Sequence, residues 1–220
     1  MLASGSMSET LRTTGRAADR PTRLTPKGEA TRQRIIVGAS EHLRDFGVAA
    51  TTLDDVLART RTSKSQLFHY FPGGREDLLL AVARYEADRV LTDQDPYLSH
   101  LTSWAAWERW KDAVVTRYRV QGTNCPLAAL MTQVRQTPGA EQVTMTLLAQ
   151  WEDKLADGVV TMQRAGKIRD GLDPRQTAQA IIAAIQGGVA VLMSTGRSDH
   201  LEAALDLTLS HLRLCAPECG

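Results

Sequence analysis

From residue 25 onward the apolar positions recur at helical spacing, and short polar breaks cut the pattern into successive helices. Ile35, Ala39, Leu43 and Phe46, at intervals of four, four and three, form one stripe. The helix that carries it starts at Thr25-Pro26, a capping residue followed by the proline that suits a first helical position, and Gly47 ends it. A second helix is predicted from Thr52 to about Thr60, with Leu53, Val56 and Leu57 facing inward. A third runs from Ser63 to Phe71-Pro72, where proline removes a donor and disfavours helix in the residue before it. Only about three residues link the two, the short turn of a helix-turn-helix. A fourth helix extends from Gly74 to roughly Thr92, with Leu78, Val82 and Tyr85 on one face and Leu79 beside it.

Past Asp93-Gln94-Asp95-Pro96 the helices lengthen. Leu101 to Val120 carries Trp104, Trp107 and Trp110, and Pro126 to Val134 is short. Pro138 to Ala165 aligns Val143, Leu147, Trp151, Leu155, Val159 and Met162. Asp173-Pro174 restarts a helix whose broad face holds Ala178, Ile181, Ile182, Ile185, Val189 and Met193, and the last helix, about Ser198 to Leu214, presents Leu201, Ala204, Leu205 and Leu212. No strand-type alternation or internal repeat interrupts this, so the predicted fold is all-α. Its expected parts are a basic arm over residues 1–24, a helix-turn-helix domain over 25–92, a ligand-binding and dimerisation domain over 93–216, and a tail over 217–220.

Charge sharpens that division. Residues 1–75 carry 12 Lys and Arg against 7 Asp and Glu, and residues 76–220 carry 14 against 18. An N-terminal part that meets a polyanion fits the split. Residues 1–24 have too few large apolar side chains to offset the entropy of ordering. Arg12, Arg16, Arg20 and Arg23 there read as a solvated tail or as an arm that brushes phosphates or a minor groove. The small residues ahead of Met7 suggest an added leader.

Cys125, Cys215 and Cys219 make no disulfide framework, and a reducing cytoplasm is the expected compartment. No signal-peptide pattern is visible. The run from Ile181 to Met193, broken by Gln186, Gly187 and Gly188, is too short to span a bilayer, so no membrane role is expected. Cys215 and Cys219 are separated by Pro217 and have no histidine pair beside them, which excludes a metal site. Acids and histidines lack nucleophile–base spacing, and there is no glycine-rich phosphate loop or cofactor motif. No catalytic residue, metal or cofactor is therefore expected, and an enzyme is the weaker reading.

The third helix carries the chemistry. Lys64, Ser65, Gln66 and His69 fall on its exposed side, and Leu67 and Phe71 on its buried side. In a major groove, Gln66 can read adenine bidentately and Lys64 can reach guanine or phosphate. Thr52 at the positive end of the second helix, Tyr70, and Arg75 at the start of the fourth are placed to grip phosphate oxygens. Ser63-Lys64-Ser65-Gln66 is also a capping box, so Ser63 is a cap as well as a DNA candidate.

At these residues the chain resembles the TetR family of transcriptional regulators. The resemblance rests on Thr51-Thr52-Leu53-Asp54-Asp55-Val56, on Ser63-Lys64-Ser65-Gln66-Leu67-Phe68-His69-Tyr70-Phe71, and on Arg75-Glu76-Asp77-Leu78-Leu79. It implies a homodimer that binds a palindromic double-stranded operator, closed by a four-helix bundle from the last two helices of each protomer. Those apolar faces otherwise complete the monomer's own core. Asn124-Cys125-Pro126-Leu127-Ala128-Ala129-Leu130 and the Asp173-Pro174 helix resemble, more loosely, a subgroup that senses multidrug-like compounds or flavonoids. Two departures stand out. Arg61 occupies the usual turn glycine, which predicts a differently shaped turn, and Phe68 replaces a usual tyrosine and lacks its hydroxyl.

For a small hydrophobic or aromatic effector the candidate lining is Trp104, Trp107, Tyr118, Cys125, Met131, Trp151 and Gln186. Each aromatic reads equally as core packing, and Gln186 equally as a satisfied core amide. Cys125, next to a proline at a helix start, reads either as an electrophile or redox sensor or as an inert buried thiol.

Overall fold

A computed structural model describes residues 24–123, 125 and 139–214. Its helices are α1 (Pro26–Phe46), α2 (Leu53–Thr60), α3 (Lys64–Tyr70), α4 (Arg75–Leu98), α5 (Trp104–Gln121), α6 (Ala140–Arg164), α7 (Pro174–Thr195) and α8 (Asp199–Leu214). The fold is all-α, and no strand occurs among the described residues. The short helix expected at 126–134, with Met131, lies outside the described residues, as do Cys215, Cys219 and the N-terminal arm.

Local chemistry sets most helix starts. The Thr25 hydroxyl accepts the Gly28 amide at 3.2 Å, and Asp173 accepts that of Gln176 at 2.8 Å ahead of Pro174. Gly47, at φ 81°, ends α1 with its amide on the Leu43 carbonyl at 2.8 Å. Phe46 corrects the stripe read for this helix. At the helix's last residue it is 59 % exposed, its ring 4.5 Å from that of His42.

The fourth helix runs longer than the sequence suggests. Asp93-Gln94-Asp95-Pro96 reads as a break, yet α4 continues through Pro96 to Leu98. Gln94 explains the difference. Buried in the core, it donates from Nε2 to the Val90 carbonyl at 2.9 Å and accepts the Trp110 indole N–H at 2.9 Å. That pairing clamps the end of α4 to α5 and holds the helix through Pro96, which lies two residues before its end. Helix α5 starts later than read, at Trp104, with Ser103 as its cap.

Two apolar cores result. Ile35, Leu43, Val56, Leu67, Phe71 and Leu78 belong to the first. Trp107, Trp110, Trp151, Leu155, Ile181 and Leu205 belong to the second. Helix α4 supplies both, through Leu78 and Val82 to the first and Val90 and Leu98 to the second. In the second core, Gly188 lets α8 approach α7 closely, since a Cβ there would lie 2.4 Å from Leu201 Cα. Helix α7, with its 22 residues, is long and apolar enough to cross a membrane by length and composition, as a core helix also can be. Its packing on α6 and α8 buries Ala178, Ile181, Ile182, Ile185, Val189 and Leu192 and accounts for part of that apolar character.

Candidate nucleic-acid interface

The α2–turn–α3 unit is built on α1 by a close contact. A Cβ on Gly38 would meet Thr60 Cγ2 at 2.4 Å, so glycine there lets α2 lie against α1. The buried Thr60 hydroxyl donates to the Val56 carbonyl at 2.7 Å and lies 2.9 Å from that of Thr62, which satisfies both polar groups in the turn. Gly38, Thr60 and Thr62 escaped the sequence reading because their role depends on two helices meeting.

Arg61 adopts φ 49°, ψ 46°, the left-handed conformation that favours glycine. The expectation of a differently shaped turn is therefore corrected. The following amide, of Thr62, donates to the Leu57 carbonyl at 3.1 Å, and this bond together with the buried threonine pair holds the arginine there. Its side chain is exposed, and among the described residues neither Arg61 nor Lys64 has an ion pair. Arg59 differs, being held by Asp45 at 2.7 Å and Glu41 at 3.5 Å.

Leu67 and Phe71 anchor α3 in the core, which turns Lys64, Ser65, Gln66, Phe68 and His69 outward together. Ser63 accepts the Gln66 amide at 3.2 Å, and Gln66 Oε1 accepts the Ser63 amide at 3.2 Å. The capping box thus exists, and Gln66 must release its carbonyl end before it can pair bidentately with a base. Thr52 closes an equivalent box on α2, its hydroxyl 2.5 Å from the Asp55 carboxylate. The Thr52 hydroxyl, then its amide, hold Asp55 below the usual carboxylate range, and His42 nearby adds to this.

Two further candidates act as struts. Arg75 donates from Nη2 to the Val48 carbonyl at 2.8 Å, tying the start of α4 to the loop after α1. Tyr70 is half-buried, set edge-on to His69 at 4.8 Å, and its hydroxyl lies beside Gly28 in the first turn of α1. The eight candidates, Thr52, Ser63, Lys64, Ser65, Gln66, His69, Tyr70 and Arg75, therefore divide. Lys64, Ser65, Gln66 and His69 share the outward face of α3, and the other four sit at the helix ends around it.

The candidate effector residues are distributed differently. Trp107, Trp151, Tyr118 and Cys125 are buried in the second core. Among the described residues the indole N–H groups of Trp107 and Trp151 have no hydrogen-bond acceptor. Burial, and then the neighbouring Cys125 thiol, push the Tyr118 hydroxyl well above its ordinary pKa. Trp104 is half-buried with the Arg213 guanidinium 5.4 Å over its ring, and Gln186 is half-buried on α7. None of these residues lines the cleft of about 720 Å³ that opens between α4, α5 and the end of α1. Arg44, Glu86, Arg89, Asp93, Arg109 and Arg117 form its polar wall. Long-range ion pairs assemble that wall, so no local motif announced it.

Comparison with known proteins adds to this geometry. Residues 35–82 match the family described as bacterial regulatory proteins, tetR family, and residues 104–208 match the tetracyclin repressor-like C-terminal domain. An HTH-type transcriptional regulator of Mycobacterium tuberculosis is 28 % identical over 197 residues, covering 84 % of this chain and 93 % of that protein. A TetR transcription regulator from Haloarcula marismortui superposes with a TM-score of 0.74 at 16 % identity, covering 86 % of this chain and 100 % of the other. One from Chloroflexus aurantiacus gives a TM-score of 0.71 at 22 % identity, covering 85 % and 96 %.

Proposed function

The chain belongs to the TetR family of transcriptional regulators, and on that premise we propose that it is a cytoplasmic repressor that binds a palindromic operator as a homodimer. A small hydrophobic or aromatic effector in its C-terminal half releases it, in line with the looser likeness to the multidrug- and flavonoid-sensing subgroup. The observation that carries the DNA reading is the outward face of α3. It groups Lys64, Ser65, Gln66 and His69 on a helix whose other side is locked into the core by Leu67 and Phe71. Thr52, Ser63, Tyr70 and Arg75 frame that face and are assigned to the phosphate backbone.

The dimer is assigned to α7 and α8. Gly187, with no atom within 4 Å of a Cβ placed on it, lies with Ala180, Ala183 and Ala190 on an exposed face of α7. On α8, Leu207 and Leu214 are 72 % and 84 % exposed. A second copy that covers both faces would remove this apolar surface from water and hold two α3 helices about one DNA turn apart, roughly 34–36 Å.

A gel-shift assay at low salt on the DNA upstream of the protein's own gene tests the reading. Retarded DNA is expected for the wild type, with affinity lowered about tenfold or more by Lys64→Ala or Gln66→Ala and a salt slope reduced by about one for Lys64→Ala. Failure of the wild type to shift that DNA would sink it. In size-exclusion chromatography with light scattering, Leu207→Glu should halve the mass.

A further inference from the structure

The cleft at the α1–α4–α5 junction has more hydrogen-bond donors to offer than acceptors. Its two less exposed carboxylates, Glu86 and Asp93, are already held by the protein's own cations. Glu86, 1 % exposed, takes the Ser40 hydroxyl, Arg44 at 3.2 Å and Arg89 at 3.7 Å. Asp93 is bonded by Arg117 and lies 3.6 Å from Arg89. Asp112, 73 % exposed, faces solvent and lies 3.9 Å from Lys111, which Glu108 and Asp206 hold more closely. The donor side is not used up. Among the described residues Arg109 has no ion pair, and Arg117 Nε is buried without an acceptor. Tyr97, Ala113 and Val120 add an apolar strip to the same cleft. Its volume of about 720 Å³ falls within the usual range of small-molecule sites, about 300–1,000 Å³.

We propose that this cleft binds an organic anion, a carboxylate or phosphate on a short apolar body, and that α1 senses it through Arg44. The acid group pairs with Arg109 and with guanidinium donors at Arg117, and the apolar body lies on Tyr97 and Val120. Arg44 is the link to the reader. It belongs to α1, it supports the buried Glu86 of α4, and it also lines the cleft. A ligand anion competes with Glu86 for that guanidinium. Glu86 then loses part of its compensation, the α1–α4 contact loosens, and α2 follows because it rests on α1 through Gly38 and Thr60. This coupling rests on the DNA-binding reading, but the anion site does not.

Calorimetry on the full chain with octanoate, octanol and octylamine tests the site without DNA. Octanoate is expected to bind at least about tenfold more tightly than either skeleton-matched control. Arg109→Glu, at an exposed residue without an ion pair, should keep the wild-type circular-dichroism melt and weaken octanoate about tenfold or more. Absence of octanoate binding at millimolar concentration, equal affinity for octanol or octylamine, or unchanged octanoate affinity in Arg109→Glu would overturn the site. For the coupling, octanoate should lower wild-type DNA affinity in the gel shift. Glu86→Gln, which no longer needs a cation, should bind octanoate and DNA but lose that response. If Glu86→Gln fails to fold, Ser40→Ala serves, with a response expected to be larger than wild type because Glu86 then depends more on Arg44. A DNA-binding protein that binds octanoate without any change in DNA affinity would overturn the coupling and leave the site standing.

Discussion

Adjacent glycines on α7 have opposite surroundings, and alanine at each isolates one packing contact. Both substitutions gain the same intrinsic helix propensity, about 1 kcal/mol, so propensity cancels between them. At Gly188 the new Cβ would sit 2.4 Å from Leu201 Cα and 2.8 Å from its Cβ, and a backbone atom cannot rotate aside. Helices α7 and α8 must separate, and overpacking of this kind costs about 1–3 kcal/mol. At Gly187 no atom lies within 4 Å of the added Cβ. Gly188→Ala should therefore be less stable than Gly187→Ala by about 1–3 kcal/mol, or roughly 2–12 °C in Tm for a chain of this size. Melts followed by circular dichroism at several protein concentrations would separate any dimer term, which shifts Tm with concentration. Equal Tm values, or Gly187→Ala as the costlier change at every concentration, would refute the packing argument.

Other consequences follow from single contacts. Gln94→Leu removes the acceptor of the fully buried Trp110 indole N–H, so the urea midpoint should fall by the equivalent of about 1–3 kcal/mol; an unchanged midpoint would contradict the role given to that amide. Arg61→Gly relieves a left-handed arginine but adds chain entropy to the unfolded state, with a net gain of about 0.5–1 kcal/mol expected in the same assay, whereas Arg61→Val should lose stability. Asp55, Asp95 and Asp199 are held below their ordinary pKa of 3.8 by bonds from Thr52, Ser99 and Arg197 respectively. Groups depressed in the folded state contribute stability above that ordinary value and lose it as pH falls through the folded one. Tm should be level from about pH 7 to about pH 5 and lower near pH 3, and a rise on acidification would falsify the assignment.

What could be read from the sequence was local. Thr25, Thr52, Ser63 and Asp173 cap helices through partners three residues away, so their spacing alone reveals them. The outward grouping of Lys64, Gln66 and His69 needs only helical period and the apolar Leu67 and Phe71. The end of α4 was not legible, because Gln94 meets Trp110 across sixteen positions of sequence and that bond outweighs the Asp-Pro signal. Composition also could not assign the tryptophans. Trp107 and Trp151 are fully buried, and the cleft is walled instead by arginines and acids. Charged residues on amphipathic helices read as solvated faces. Only the meeting of Arg44, Glu86 and Arg117 from three different helices brings them to one cleft.

Helix α4 contributes side chains to both cores, and a last substitution tests whether its stiffness couples them. Its 24 residues contain no glycine, its one proline lies in the final turn, and it spans about 36 Å. Leu78, Leu79, Ala81, Val82 and Ala83 belong to the first core and Ala87, Val90 and Leu98 to the second, so a tilt at one end displaces side chains packed at the other. Arg84 sits between the two sets, exposed and, among the described residues, without an ion pair. Arg84→Gly should cost about 0.8–1 kcal/mol relative to Arg84→Ala, from helix propensity alone, and should speed amide exchange around the middle of α4. Stiffness, not contact, is what the glycine removes. If α4 acts as a lever, an effector that releases DNA from the Arg84→Ala protein will release it less completely from Arg84→Gly, although both bind effector and DNA separately. An identical response in the two variants would rule out the stiffness of α4 as the carrier of the signal.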